Sequence, residues 1–134
     1  MGFFSKFRGW LARRQLERKA RRISEPDIED ILKQSDDIRK RFETGGPLGR
    51  FVEDAKLIIA IMGDYKNGRY RAIPFWAIAA MAAGLIYVVN PLDIIPDPVP
   101  LVGQLDDATV LAACLAMVEQ ELHTYKEWKI HNSD

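Results

Sequence analysis

Polar and apolar positions follow helical periods along almost the whole chain. The cleanest lies in residues 48–65. Leu48, Phe51, Val52, Ala55, Ile58, Ile59, Met62 and Tyr65 recur at i, i+3 and i+4, which predicts an amphipathic helix. Ile28, Ile31, Leu32, Ser35, Ile38 and Phe42 mark another helix that packs by one stripe. Its start is signalled by Ser24 as cap, Pro26 in the first turn and Asp27 at the capping-box position. Thr44-Gly-Gly-Pro-Leu-Gly49 ends it, and Asn67-Gly68 turns the chain further on. Ile73–Val89 differs in kind. It runs for 17 residues without a charge and is apolar on all sides, so its helix is buried by protein, lipid or both. A last helix, 106–128, presents Val110, Leu111, Cys114, Leu115, Val118, Leu122 and Tyr125 on one face. Strand-like alternation is absent. The pattern therefore predicts an all-α fold of about five helices. It is a small bundle in which an apolar hairpin, 74–89 and 106–128, is joined by a Pro- and Asp-rich connector.

The fifth predicted helix is N-terminal. Phe3, Phe7, Trp10 and Leu11 fall at helical spacing with Phe4 beside them, while Arg8, Arg13, Arg14 and Arg18 occupy much of the remaining surface. The chain is neutral as a whole, but residues 1–22 hold eight basic side chains and one acid. Such asymmetry points to an anionic partner. Aromatics at the acyl boundary and cations at the headgroups suit a helix lying in a membrane interface, each basic residue contributing roughly 1 kcal/mol. Nucleic acid would use the same charges. The aromatics cluster at one end instead of interleaving as a stacking platform does, which favours lipid. The expected organisation is a basic amphipathic helix over 1–23, a helical domain over 24–129 and a tail over 130–134.

With 134 residues, 48% of them hydrophobic, the chain suffices for one domain with a modest core. Cys114 stands alone in an apolar run, as a small buried hydrophobe suited to a reducing compartment. The N-terminus lacks the apolar stretch of a signal peptide, and Lys6 stands where a myristoylation pattern wants Ser or Thr. Seventeen apolar residues reach only the lower edge for crossing a bilayer, which takes about 20, and Ala108–Val118 gives only 11. Lys66, Arg69 and Arg71 precede the hairpin and Lys126 and Lys129 follow it, so the positive-inside rule places both ends at the cytoplasmic face. A hairpin embedded from one side competes with a five-helix domain tethered only by its N-terminus.

Pro91, Pro96, Pro98 and Pro100 exclude a regular helix from the connector, while Leu92, Ile94, Ile95, Val99, Leu101 and Val102 predict that it folds back as a packed cap. Asp93, Asp97, Asp106 and Asp107 suit turns and helix starts. The sharper alternative is a Ca²⁺ or Mg²⁺ site, although the spacing matches no EF-hand loop. Glu119 and His123, four apart on a helix, form a weaker candidate ligand pair. No nucleophile–base arrangement, phosphate-binding glycine loop, HExxH or CxxC occurs, so no catalytic residue is assigned.

The run Tyr87-Val-Val-Asn-Pro-Leu-Asp-Ile-Ile-Pro-Asp97, followed by Val99-Pro100, Gly103 and Leu105-Asp-Asp107, resembles the motif of the YkvA-like bacterial domain of unknown function. The resemblance covers about residues 75–115 and is carried by Tyr87, Asn90, Pro91, Asp93, Pro96, Asp97, Pro100, Gly103, Asp106 and Asp107. It departs at Asn90, where Ser is common, and at Pro98, where a bulky residue is usual. It implies a helical, often membrane-associated protein with no established activity and no catalytic residues to carry over. The combined expectation is a non-catalytic interaction or scaffold module on the cytoplasmic face of a membrane. Its partners would be anionic lipid and an unidentified protein, and it would need no cofactor. The alternatives are a divalent-metal protein, hydrolytic in chemistry, using the connector aspartates, and a nucleic-acid adaptor using the basic N-terminus.

Overall fold

The computed structural model describes residues 2–44, 46–89 and 107–132, with side chains at Gly9 and beyond except at Asp107. Every regular element among them is helical. The order is α1 (Gly2–Ala20), α2 (Glu25–Lys33), α3 (Ser35–Glu43), a 3-10 helix (Gly46–Phe51), α4 (Val52–Lys66), α5 (Phe75–Val89), α6 (Asp107–Met117) and α7 (Glu119–Asn132).

The described residues thus hold seven α-helices where the sequence pattern predicted about five. Two predicted helices are each interrupted once. Gln34 separates α2 from α3, yet its amide still reaches the Asp30 carbonyl and its own carbonyl accepts from Ile38. Val118 separates α6 from α7 in the same way, its amide on the Cys114 carbonyl and its own carbonyl accepting from Leu122. Gln34 sits at φ −98° and ψ 11°, outside the helical region, while Ile28, Ile31, Ile38 and Phe42 all remain buried. The helix predicted over 48–65 also begins later than its period suggested. Leu48 and Phe51 are buried in the 3-10 segment, where i and i+3 share a face just as they do in an α-helix.

Local chemistry fixes several boundaries. The Ser24 amide and hydroxyl both donate to Asp27 Oδ2, at 2.8 and 3.0 Å, supplying the reciprocal half of a capping box for α2. Gly68 ends α4 with φ +80°, a conformation that only glycine adopts freely. The Arg69 and Tyr70 amides then turn back onto the Asp64 carbonyl, at 2.9 and 3.1 Å. Pro74 precedes α5, and its carbonyl accepts from Ala77 and Ile78.

α5 is the axis of the bundle and touches α1, α2, α3, α4 and α6. Eleven of its 15 residues are buried, which accounts for its all-round apolarity by protein packing. At 1.5 Å per residue it is about 22 Å long, short of a hydrocarbon core of about 30 Å. Among the described residues no helix is long and apolar enough to cross a membrane. On one side of α5 the main core gathers Ile28, Phe42, Ile58, Met62, Ile78 and Met81. On the other, Ala12 and Leu16 of α1 meet Ala83 and Tyr87 of α5 and Val110 and Cys114 of α6.

That second seam is tight because it is built from small residues. A Cβ placed on Gly84 would stand 2.9 Å from Cys114 Sγ and 3.2 Å from Cys114 Cβ. The Cys114 thiol donates to the Ala80 carbonyl at 3.4 Å, and burial pushes its pKa up to about 12. α1 is thereby an integral wall of the bundle. Met117 lies near Ala79 and Ala80, whereas Val110 lies near Ala83 and Tyr87, so α6 runs antiparallel to α5.

Candidate functional site

α1 has two unlike faces. Ala12 and Leu16 are fully buried and Leu11 is half-buried against the seam. Trp10, Arg13, Arg14 and Arg18 point outward. Of the aromatic group grouped by spacing, Leu11 and Trp10 therefore serve opposite sides. Trp10 is 52% exposed, and the Arg14 guanidinium lies 5.2 Å from its ring centre. Phe3, Phe4, Phe7 and Arg8 belong to the α1 backbone, and their side chains lie outside the described residues.

The outward face of α1 borders a groove of about 510 Å³ shared with the start of α5 and the end of α6. Arg13, Arg21, Phe75, Trp76, Ala80 and Met117 line it. Arg13, Glu17 and Arg21 stand at successive i, i+4 positions along the rim, and Arg13 Nε pairs with Glu17 Oε2 at 3.4 Å. Phe75 and Trp76 are exposed beside them, Trp76 by 52%. Sequence reasoning missed these two because the charge-free run from Ile73 read as buried throughout. Their place at the first turn, just after Pro74, was the available signal: it puts them at the end of the bundle.

A second polar cluster, also missed, lies at the α4–α7 corner. Asp64 is 5% exposed, yet it is charged and well partnered. Tyr125 donates its hydroxyl to Asp64 Oδ2 at 2.6 Å, Lys129 Nζ reaches the same oxygen at 3.4 Å, and Arg69 Nη1 reaches Oδ1 at 3.4 Å. Burial pushes the Asp64 carboxyl up, but the Tyr125 hydrogen bond, Lys129 and Arg69 outweigh it and hold the group below its ordinary value. Burial and the same carboxylate push the Tyr125 phenol well above its ordinary value. Tyr70 and Trp128 complete an aromatic nest, with ring centres 5.1 Å from Tyr125 to Tyr70, 4.9 Å from Tyr70 to Trp128 and 5.7 Å from Tyr125 to Trp128. The Tyr70 hydroxyl is buried there without a hydrogen-bond partner among the described residues. The arrangement is cohesive, since a satisfied carboxylate under two cations ties α4 to α7.

Of the motif residues, Tyr87 is buried in the α1–α5–α6 seam. Asn90, Pro91, Asp93, Pro96, Asp97, Pro100, Gly103 and Asp106 lie outside the described residues, and Asp107 is described only as the first position of α6. The candidate metal site formed by Asp93, Asp97, Asp106 and Asp107 lies outside them likewise. Glu119 and His123 are both exposed on α7, and among the described residues no group of three or more His, Cys, Asp or Glu side chains could hold a metal ion.

Fold and surface together define a small all-helical bundle with one corner closed on a buried carboxylate and another that presents tryptophans and arginines outward. A family model described as protein of unknown function (DUF1232) matches residues 77–113, which cover α5 from Ala77 onward, the connector and α6 as far as Ala113. The uncharacterized membrane protein YkvA of Bacillus subtilis (strain 168) is 34% identical over 79 residues, covering 59% of this chain and 74% of that protein. The chain belongs to this YkvA-like family of unknown function. No solved structure matches it.

Proposed function

We propose that the protein is a membrane-associated binding module that lies on the cytoplasmic face of an anionic bilayer through the outward corner formed by α1 and the start of α5. The observation that carries this is the exposure of Trp10 and Trp76, 52% each, among Arg13, Arg14, Arg18 and Arg21. Tryptophan at the headgroup level and arginine against lipid phosphate are the two contacts a peripheral protein needs. The membrane-protein name of the Bacillus subtilis relative supports the same direction. The bundle acts as the scaffold that displays this corner and presents its other faces to a protein partner.

Co-sedimentation with phosphatidylcholine vesicles, with and without phosphatidylglycerol, tests it. Binding should require the anionic lipid. Replacing Arg14 and Arg18 together by Gln should weaken it by about tenfold or more, since each cation near the surface contributes roughly 1 kcal/mol. Equal failure to bind both vesicle types would refute the proposal. Point substitutions are the right perturbation, because deleting residues 1–22 would strip Ala12 and Leu16 from the seam.

A further inference from the structure

We infer that the α1–α5–α6 groove is a binding site for one anionic phospholipid molecule, with an acyl chain along its floor and the phosphate at the rim between Arg13 and Arg21. This deepens the membrane-surface proposal and rests on it. Three features select that occupant. The first is shape and lining. The groove, at about 510 Å³, falls in the range of about 300–1,000 Å³ typical of small-ligand sites. Ala79 and Ala80 keep the floor free of long side chains, and Trp76 and Met117 supply an apolar wall and a pliable one. A slot of this composition favours an alkyl chain over a polar ligand.

The second feature is charge. Arg13 is engaged by Glu17, but Arg21, one turn beyond on the same rim, has no ion-pair partner among the described residues. Two arginines against one glutamate leave the rim net positive, and guanidinium matches phosphate in a bidentate geometry. The first amides of α5, at Phe75 and Trp76, have no intrahelical acceptor and add the positive end of that helix to the same rim. The third feature is position. Exposed Trp76 and Phe75 flank the groove, so a protein seated on a bilayer by this corner would have the groove open to the lipid it rests on. Polar rim and apolar floor are arranged as headgroup and chain are arranged in a phospholipid.

The test uses the full chain and short-chain phosphatidylglycerol below its micelle concentration, brominated on the acyl chains so that it quenches tryptophan on contact. Quenching should be saturable and should vanish in Trp76→Phe, which identifies the reporter. The phosphatidylcholine analogue should bind about tenfold or more weakly, and Arg13→Gln with Arg21→Gln should weaken phosphatidylglycerol by a similar factor, the scale of one lost charge-assisted hydrogen bond. Ala20→Leu, a favourable helix residue that intrudes into the groove from its half-exposed edge, should abolish the quenching. Equal quenching by both headgroups, or quenching that survives Ala20→Leu in a variant whose circular dichroism is native, would overturn the groove. Vesicle co-sedimentation of the same variants separates the two proposals. Vesicle binding with Trp76 unquenched by the monomeric lipid sinks the groove alone. Saturable monomer quenching without vesicle binding sinks the membrane-surface proposal and leaves the lipid site standing.

Discussion

Two corners of the bundle use nearly the same side chains in opposite ways. At the α4–α7 corner, Tyr70, Tyr125 and Trp128 pack around buried Asp64, and Arg69 and Lys129 reach its carboxylate from the surface. At the α1–α5 corner, Phe75 and Trp76 with Arg13 and Arg21 turn outward around a groove, and Trp10 with Arg14 turns outward further along α1. The difference lies in the acid. Asp64 sits inside its aromatics and gives the cations a buried partner. Glu17 sits on the surface of its helix and occupies only Arg13. One buried carboxylate converts an aromatic and basic patch into a joint; without it the same composition remains available to a ligand.

The comparison breaks most directly at Asp64. Asp64→Ala leaves the Tyr125 hydroxyl buried without its acceptor and should destabilise the fold by about 2–4 kcal/mol, measured by urea unfolding. Tyr125→Phe should cost somewhat less, about 1.5–3 kcal/mol, because the carboxylate keeps its two cations. The outward corner should behave in the reverse manner. Trp10→Ala with Trp76→Ala should change stability by less than about 1 kcal/mol, as exposed side chains do, while lowering affinity for phosphatidylglycerol vesicles by roughly tenfold. A large loss of stability from the tryptophan pair would erase the distinction between the corners.

The contrast also shows which features the sequence carries. The burial of α5 was legible because 17 uncharged residues leave no polar face to solvate. The inward stripe of the last helices was legible for the most part: Val110, Leu111, Cys114, Val118, Leu122 and Tyr125 are buried as their spacing predicts, while Leu115 of the same predicted face is only half-buried. The interruptions at Gln34 and Val118 were not, since the hydrophobic period continues through them. Asp64 was illegible for a different reason. Its partner Tyr125 lies 61 positions away, and a carboxylate at the edge of an apolar stripe reads as solvent-facing. The one local hint was Ile61, a turn before it and fully buried, which widens the stripe of α4 enough to bring Asp64 inside. In α1 the spacing found an aromatic cluster but could not divide it, because the bundle decides which side of the helix Trp10 and Leu11 each meet.

The seam that holds α1 in place offers a smaller, sharper test. Gly84→Ala gains roughly 1 kcal/mol of helix propensity but forces a Cβ to within 2.9 Å of Cys114 Sγ, an overpacking typically costing about 1–3 kcal/mol. A net loss near 1 kcal/mol is expected, relieved when Cys114→Ala is combined with it. Additive effects in this double-mutant cycle would mean that α5 and α6 are not in contact there. The same burial makes Cys114 unreactive toward thiol reagents until the protein unfolds, because its pKa is pushed up to about 12. With Cys114 and Tyr125 both raised in the fold, stability should be intact at neutral pH and fall as pH rises past the ordinary thiol and phenol values.

The smallest effect belongs to the two cations of the inward corner. Arg69 and Lys129 are 68% and 52% exposed, so Arg69→Gln and Lys129→Gln should each change stability at neutral pH by no more than about 1 kcal/mol. Their influence should appear in acid instead. Asp64 is held below its ordinary value in the fold, so its contribution is present above the unfolded carboxyl pKa and is lost as pH falls through the folded one. Without Lys129 the folded value moves back up, and the acid unfolding midpoint should move up with it, read by circular dichroism across a pH series. If Lys129→Gln instead cost as much at neutral pH as Tyr125→Phe, the corner would be held by its ion pairs. If it shifts only the acid limb, the tyrosine hydrogen bond inside the aromatic nest is the joint, and the cations merely keep its carboxylate ionised.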